Sequence, residues 1–186
     1  MAASLLVQDP RYLVSPGALS CLSALAACKV LAHLGLKPQI KWPNDVYLNG
    51  KKAVGVLLEG SLPEYAILGI GINVGQKAFP VGYRVRPTSL YLETKKEFFV
   101  PDLAVALRDE LLSYFSKERL DEDALYEEFA AYDFLKGKTV SGVKEGKAIT
   151  GVALGVDSSF QLRLWTKNGE VSLSSGEVSS LSASVG

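Results

Sequence analysis

The sequence predicts an α+β fold, a mixed sheet packed by helices, with a small β domain behind it. Three observations carry this. An apolar run over residues 18–34 repeats with a helical period, continuous apolar runs over 53–59 and 65–74 read as central strands, and from Gly137 onward short strands alternate with Gly, Asp-Ser-Ser and Asn-Gly turns. The organisation expected is 1–137 as one unit and 138–186 as a second. With 186 residues, 48% of them apolar and 22% charged, the chain has ordinary globular composition.

In chain order, Leu19, Leu22, Leu25, Ala26, Cys28 and Leu31 keep helical spacing, so 18–34 is expected to be a buried crossover helix. Cys21 and Cys28 on that helix are read as small core residues, and His33 falls in its last turn. Residues 39–42 and 46–48 read as short strands joined by Pro43-Asn44-Asp45. Asn49-Gly50 is the strongest hairpin signal in the chain, so 53–59 (AVGVLLE) must return beside them. After Pro63, residues 65–74 (YAILGIGINV) supply a third strand. Two helices are expected over 102–115, capped by Asp102, and over 122–134. Strands at 139–143, 148–156, 161–166 and 170–173 complete the prediction.

Composition excludes several chemistries. Twenty Lys and Arg balance twenty Asp and Glu, so no net field gathers nucleic acid or an anionic membrane. One His and two Cys are too few for a four-ligand zinc site or a disulfide scaffold, and the thiols suit a reducing, cytoplasmic setting. Neither a signal peptide nor a run of about 18 apolar residues is read in the sequence. Gly69-Ile70-Gly71 has its next glycine at Gly75 and no following helix pattern, so the dinucleotide fingerprint fails. The Gly-Lys pairs at 50–51, 137–138 and 146–147 lack the rest of a phosphate-binding loop, and a single His leaves no basis for a His-dependent triad.

What stands out is Lys41-Trp42-Pro43-Asn44-Asp45 between two strands, followed by Lys51-Lys52. Strand alternation sends the two lysines to opposite faces, so one is solvated and the other can be directed inward. A lysine beside an apolar strand and close to Gly55 suits neutralising a carboxylate or phosphate as charge shifts. Trp42 is expected to pack at a core edge.

KWPND, then KKAVGVLLE with the pattern Lys-x-x-Gly-Val-Leu-x-Glu, then GIGINV, closely resemble the catalytic domain of biotin protein ligases. The resemblance extends through Arg86-Pro87-Thr88-Ser89-Leu90 and into Gly151, Gly155 and Gly176-Glu177-Val178, which look like the family's small SH3-like domain. It implies a catalytic domain like that of class II aminoacyl-tRNA synthetases and a two-step reaction. Biotin's carboxylate attacks the α-phosphate of ATP, with magnesium carried by the nucleotide, giving biotinyl-5'-AMP. A lysine of the biotin carrier domain of acetyl-CoA carboxylase, or of a related carboxylase, then takes the biotinyl group.

Carried across by motif, Lys52 matches the catalytic lysine and contacts biotin. Gly55, Leu57 and Gly69 match the biotin pocket, and Asn44, Asp45 and Asn73 match ATP and adenylate positions. No bound metal ion of the protein's own is expected. Family members also carry, ahead of the point where this sequence begins, a Ser/Thr-rich biotin contact and a GRGR-like loop. Residues 1–6 resemble the strand after that loop, so the chain is expected to begin inside the family's sheet. Two alternatives follow, an incomplete biotin- or nucleotide-binding homologue and a lipoate-type acyl ligase, and a homodimer would be one way to cover an open sheet edge. No winged helix is read, so DNA binding is not expected.

Overall fold

The computed structural model describes residues 1–144, 146–174, 176 and 178–180, and Glu177 of the Gly176-Glu177-Val178 segment lies outside them. The first sheet contains β1 (Ala2–Val7), β2 (Pro38–Lys41), β3 (Asp45–Leu48), β4 (Lys51–Ser61) and β5 (Tyr65–Ile72) in the order β1-β5-β4-β3-β2. Every ladder in it is antiparallel. Parallel pairing, which the expected mixed sheet called for, occurs among the described residues only as isolated bridges, Ile40 with Asp133 and Lys52 with Pro87. Hairpin connections enforce this from β2 to β5, since short turns can join only antiparallel strands. The Asn49-Gly50 turn lies between β3 and β4, with both residues at positive φ, 50° and 73°.

Helix α1 (Pro16–His33) packs across β4 and β5. Twelve of its 18 residues are buried, so it is apolar nearly all round. Its length and composition would suffice to cross a membrane, against the expectation that no such run exists. Here 67% of it lies inside the protein, which accounts for its apolar character. Cys21 and Cys28 are buried on this helix, and burial pushes both thiols up, away from reactivity. Each fully buried Leu or Ile in this layer contributes on the order of 1.5–3 kcal/mol.

The short helix α2 (Leu90–Thr94), capped by Ser89, is absent from the sequence prediction. Helix α3 (Val100–Phe115) begins two residues earlier than expected, with Pro101 in its first turn. Phe99 is the cap residue, without a side-chain hydrogen bond, and Asp102 is an acidic residue inside the first turn rather than the cap. Helix α4 (Glu122–Tyr132) is capped by Asp121.

The second sheet contains β6 (Thr139–Lys144), β7 (Lys147–Val156), β8 (Leu162–Thr166), β9 (Gly169–Leu173) and β10 (Ser179–Ser180), ordered β10-β6-β7-β8-β9 and antiparallel. Hydrogen bonds join the two sheets' surroundings at two points. The Phe134 amide donates to the Ile40 carbonyl at 2.9 Å, and Trp42 Nε1 donates to the Phe160 carbonyl at 2.8 Å. Phe160 also sits so close to α1 that a Cβ on Gly17 would lie 2.9 Å from its Cβ.

Candidate active site

On β5 the even-numbered residues Ala66, Leu68, Ile70 and Ile72 are buried, which turns Gly69 and Gly71 to the opposite face. Register then builds rows across that face. Ala2, Gly71, Gly55 and Asp45 form one, and Ser4, Gly69 and Leu57 the next. Three adjacent positions without side chains leave a bare strip of backbone, a surface on which a flat ligand can lie. A Cβ on Gly71 would meet only the Gly55 carbonyl oxygen, at 3.9 Å.

Lys52 reaches this strip through an irregularity. Strict alternation from Gly55 would put Lys51 on the glycine face and Lys52 toward the core. Between β3 and β4, however, Val46 pairs with Val54 and Tyr47 pairs with Lys52, so Ala53 is an extra residue in β4. Such a bulge reverses the alternation and re-aims the preceding side chain. Lys52 Cε and Nζ accordingly lie 3.3 and 3.5 Å from where a Cβ on Gly55 would sit. Asp45 Oδ1 is 2.5 Å from Lys52 Nζ, with the lysine side chain 38% and the aspartate 15% exposed. The carboxylate therefore holds the ammonium over the glycine strip while leaving it accessible.

A cleft of about 340 Å³ opens at this point. Lys52, Gly55, Gly71 and Asn73 line one side, and Phe79, Tyr83, Arg84 and Pro87, from the loop after β5, line the other. Phe79 and Tyr83 meet edge to face, with centroids 6.3 Å apart. Asn73 is fixed at both ends. Its side-chain amide donates to the Thr88 carbonyl at 3.0 Å, and its backbone carbonyl accepts from the Leu90 amide at 2.9 Å. A larger hollow of about 770 Å³ lies between Arg11 and the 117–123 segment, lined by charges of both signs and by none of these residues.

The expected residues thus divide. Lys52, Gly55 and Asn73 line the cleft, Asp45 pairs with Lys52, and Leu57 and Gly69 lie in the adjoining row on the same face. Asn44 does different work. Its side-chain amide donates to the Val56 carbonyl at 2.7 Å while the Val56 amide donates to the Asn44 carbonyl at 3.0 Å, which ties the Pro43-Asn44-Asp45 turn to β4. Trp42 is 3% exposed, the packing role expected, with a hydrogen bond to Phe160 added. Gly71, Phe79 and Tyr83 were not identified from sequence as site residues. The register of Gly71 opposite Gly55 could have revealed the first, whereas the loop aromatics carry no period to read. Among the described residues, no group of three or more His, Cys, Asp or Glu side chains is placed to hold a metal ion.

This arrangement supplies a positioned cation, a flat apolar bed and an amide donor, the equipment for handling a carboxylate and a phosphate side by side. The model of the Biotin/lipoate A/B protein ligase family matches residues 1–75. The chain is 30% identical over 173 residues to the bifunctional ligase/repressor BirA of Bacillus spizizenii, covering 86% of this chain and 52% of that protein. It is 37% identical over 95 residues to the biotin–[acetyl-CoA-carboxylase] ligase of Paracoccus denitrificans, covering 46% of this chain and 38% of that one. The chain therefore spans about half, or less, of the length of these relatives. The biotin protein ligase of Aquifex aeolicus in complex with biotin and ATP superimposes with a TM-score of 0.83 at 27% identity, covering 98% of this chain and 78% of that structure. With the KWPND, Lys-x-x-Gly and GIGIN segments brought together around one cleft, the chain is similar in sequence to biotin protein ligases and shares their catalytic-domain fold.

Proposed function

We propose that this protein is an ATP-dependent biotin protein ligase that activates biotin as biotinyl-5'-AMP and passes it to a lysine of a carboxylase's biotin carrier domain. The observation that carries the reading is the Lys52–Asp45 pair poised over the glycine strip, beside Asn73. In the first step a carboxylate oxygen of biotin bonds to the α-phosphorus of ATP and pyrophosphate leaves. Lys52 offsets the negative charge that gathers where carboxylate and phosphate meet, and Asp45 keeps it aimed beforehand. Asn73 orients the nucleotide. In the second step the carrier amine attacks the acyl carbon, AMP leaves with the bonding pair, and the amine's proton is lost as the amide forms.

Adenylyl transfer of this kind asks the protein for position and charge rather than covalent participation, and a cation held in place by Asp45 supplies both. Magnesium belongs in this reading to the nucleotide substrate, with Asp45 the carboxylate available near it. A cytoplasmic setting is part of the same proposal, in keeping with two buried, unpaired cysteines. So is an independent SH3-like unit over 138–186, which the second antiparallel sheet supports.

The test is biotin-dependent exchange of labelled pyrophosphate into ATP, with wild type beside Lys52→Ala. Exchange that is lost in the variant is expected. The Lys52 side chain is 38% exposed, so the variant's melting temperature is expected to stay close to wild type. Biotin binding without exchange in the wild type would instead mark the chain as a binding homologue.

A further inference from the structure

Lys51 and Lys52 are chain neighbours held by different carboxylates. Lys52 pairs with Asp45 over the glycine strip, whereas Lys51 Nζ lies 2.8 Å from Glu93 Oε1, at the start of β4 away from that strip. Glu93 belongs to α2, and its side chain is only 6% exposed. Two further donors reach it. The Asn49 side-chain amide donates to Oε2 at 2.6 Å, and the Thr88 hydroxyl donates to Oε1. A carboxylate this buried must be satisfied, and here satisfaction comes from two separate segments, the hairpin turn and the strand-like stretch before α2.

Those segments are the ones that frame the site. The Lys52 amide donates to the Arg86 carbonyl at 3.0 Å, and the Thr88 amide donates to the Lys52 carbonyl at 2.8 Å, so the Lys52 peptide is sandwiched against 86–88. The Thr88 carbonyl in turn holds the Asn73 amide. Glu93 grips residue 51 on one side of this junction and residue 88 on the other. Loss of the grip frees the start of β4 to move against the segment that holds Asn73.

We infer that Glu93 is a positioning residue whose buried carboxylate, gripping Asn49, Lys51 and Thr88, fixes the junction that aims Lys52 and orients Asn73. What is positioned rests on the ligase reading above; the grip itself does not. Small displacements of a reacting cation are expensive in rate, so the effect should fall on turnover rather than on the glycine strip where biotin's rings would lie.

The experiment compares Glu93→Gln, Lys51→Met, the double variant and Lys51→Arg. It reads pyrophosphate exchange at saturating and limiting ATP, biotin affinity by calorimetry, and amide hydrogen exchange at Lys52 and Thr88. In Glu93→Gln and Lys51→Met, kcat for exchange should fall roughly tenfold or more while the biotin Kd moves by less than about twofold. The double variant should be no worse than the poorer single one, and Lys51→Arg should restore turnover. Protection of the Lys52 and Thr88 amides should fall in step with kcat.

Wild-type kcat in both single variants would overturn the inference. So would turnover and biotin affinity falling together with the folded fraction, which marks plain destabilisation. If Glu93→Gln fails to fold, Lys51→Met, a change at a side chain 31% exposed, decides by the same readouts. If the wild type shows no biotin-dependent exchange, the ligase reading fails and amide exchange judges the grip alone. Protection lost only at Lys52, Thr88 and their neighbours then supports it, and unchanged protection overturns it.

Discussion

In the first sheet a Cβ added at Gly71 would meet nothing nearer than the Gly55 carbonyl oxygen at 3.9 Å. In the second, a Cβ at Gly151 would lie 2.6 Å from the Trp165 carbonyl oxygen and 3.1 Å from Thr166 Cγ2. Both sheets have five antiparallel strands, and both place glycine in a strand interior. At Gly71 the missing side chain leaves room outside the fold, and at Gly151 it lets the protein's own backbone close up. The outward face of the second sheet keeps its side chains, Val143, Val152 and Trp165 among the exposed ones, and its Arg163 and Glu170 are paired to each other at 2.6 Å. Glycine in a strand is therefore informative only together with what its missing Cβ would touch.

Gly71→Val tests the open case most strongly. A β-branched residue suits a strand and has room here, so the melting temperature should hold, while biotin affinity drops by roughly tenfold or more, about 1.4 kcal/mol per decade. Calorimetric titration checks this, and unchanged affinity would mean that the glycine strip is not the ligand's bed. Gly151→Ala is the converse. Forcing backbone apart should cost about 1–3 kcal/mol in denaturant unfolding with biotin affinity unchanged among molecules still folded. Asn73→Ala probes the edge of the strip and should weaken ATP by several-fold while leaving biotin nearly unaffected, and equal losses would remove the adenine assignment.

The smallest expected effect concerns acid. Burial pushes the Glu93 carboxyl up, but hydrogen bonds from Lys51, Thr88 and Asn49 outweigh it and hold the group below the usual carboxylate range. A lowered pKa in the folded state contributes stability above the unfolded value, roughly pH 4.3, and loses it as pH falls through the folded value. Urea unfolding across pH should therefore show the gap between wild type and Glu93→Gln widest near neutrality and closing in acid. A gap independent of pH would assign the difference to shape instead of charge.

Much of the fold was legible because its strongest signals are local. Asn49-Gly50 fixed a hairpin, and the alternation along β5 needs no partner to be seen. Helix α2 escaped because five residues are too few to display a period. Asp102 looked like a cap because the preceding Val100 and Pro101 are poor helix-interior residues, although Pro is well accommodated in a first turn. The resemblance named Lys52, Asp45, Gly55 and Asn73, which the fold brings together at one cleft, but period alone would have selected Lys51. The Glu93 grip joins residues 42 and 44 positions apart, a relation that exists only after the chain has folded.

The extra residue at Ala53 has a consequence for how this stretch can vary. Upstream of it, odd and even positions trade places relative to the rest of β4, so the segment acts as a parity switch. Adding one residue opposite it on β3, between Val46 and Tyr47, would give Ala53 a partner, restore a regular ladder, present Lys51 to the cleft and turn Lys52 toward the core. Substitutions along β4 can be absorbed singly, whereas one residue inserted opposite the bulge exchanges the identities of two lysines that already have separate duties. The one-residue mismatch between β3 and β4, more than any single side chain in either, decides which lysine faces the cleft.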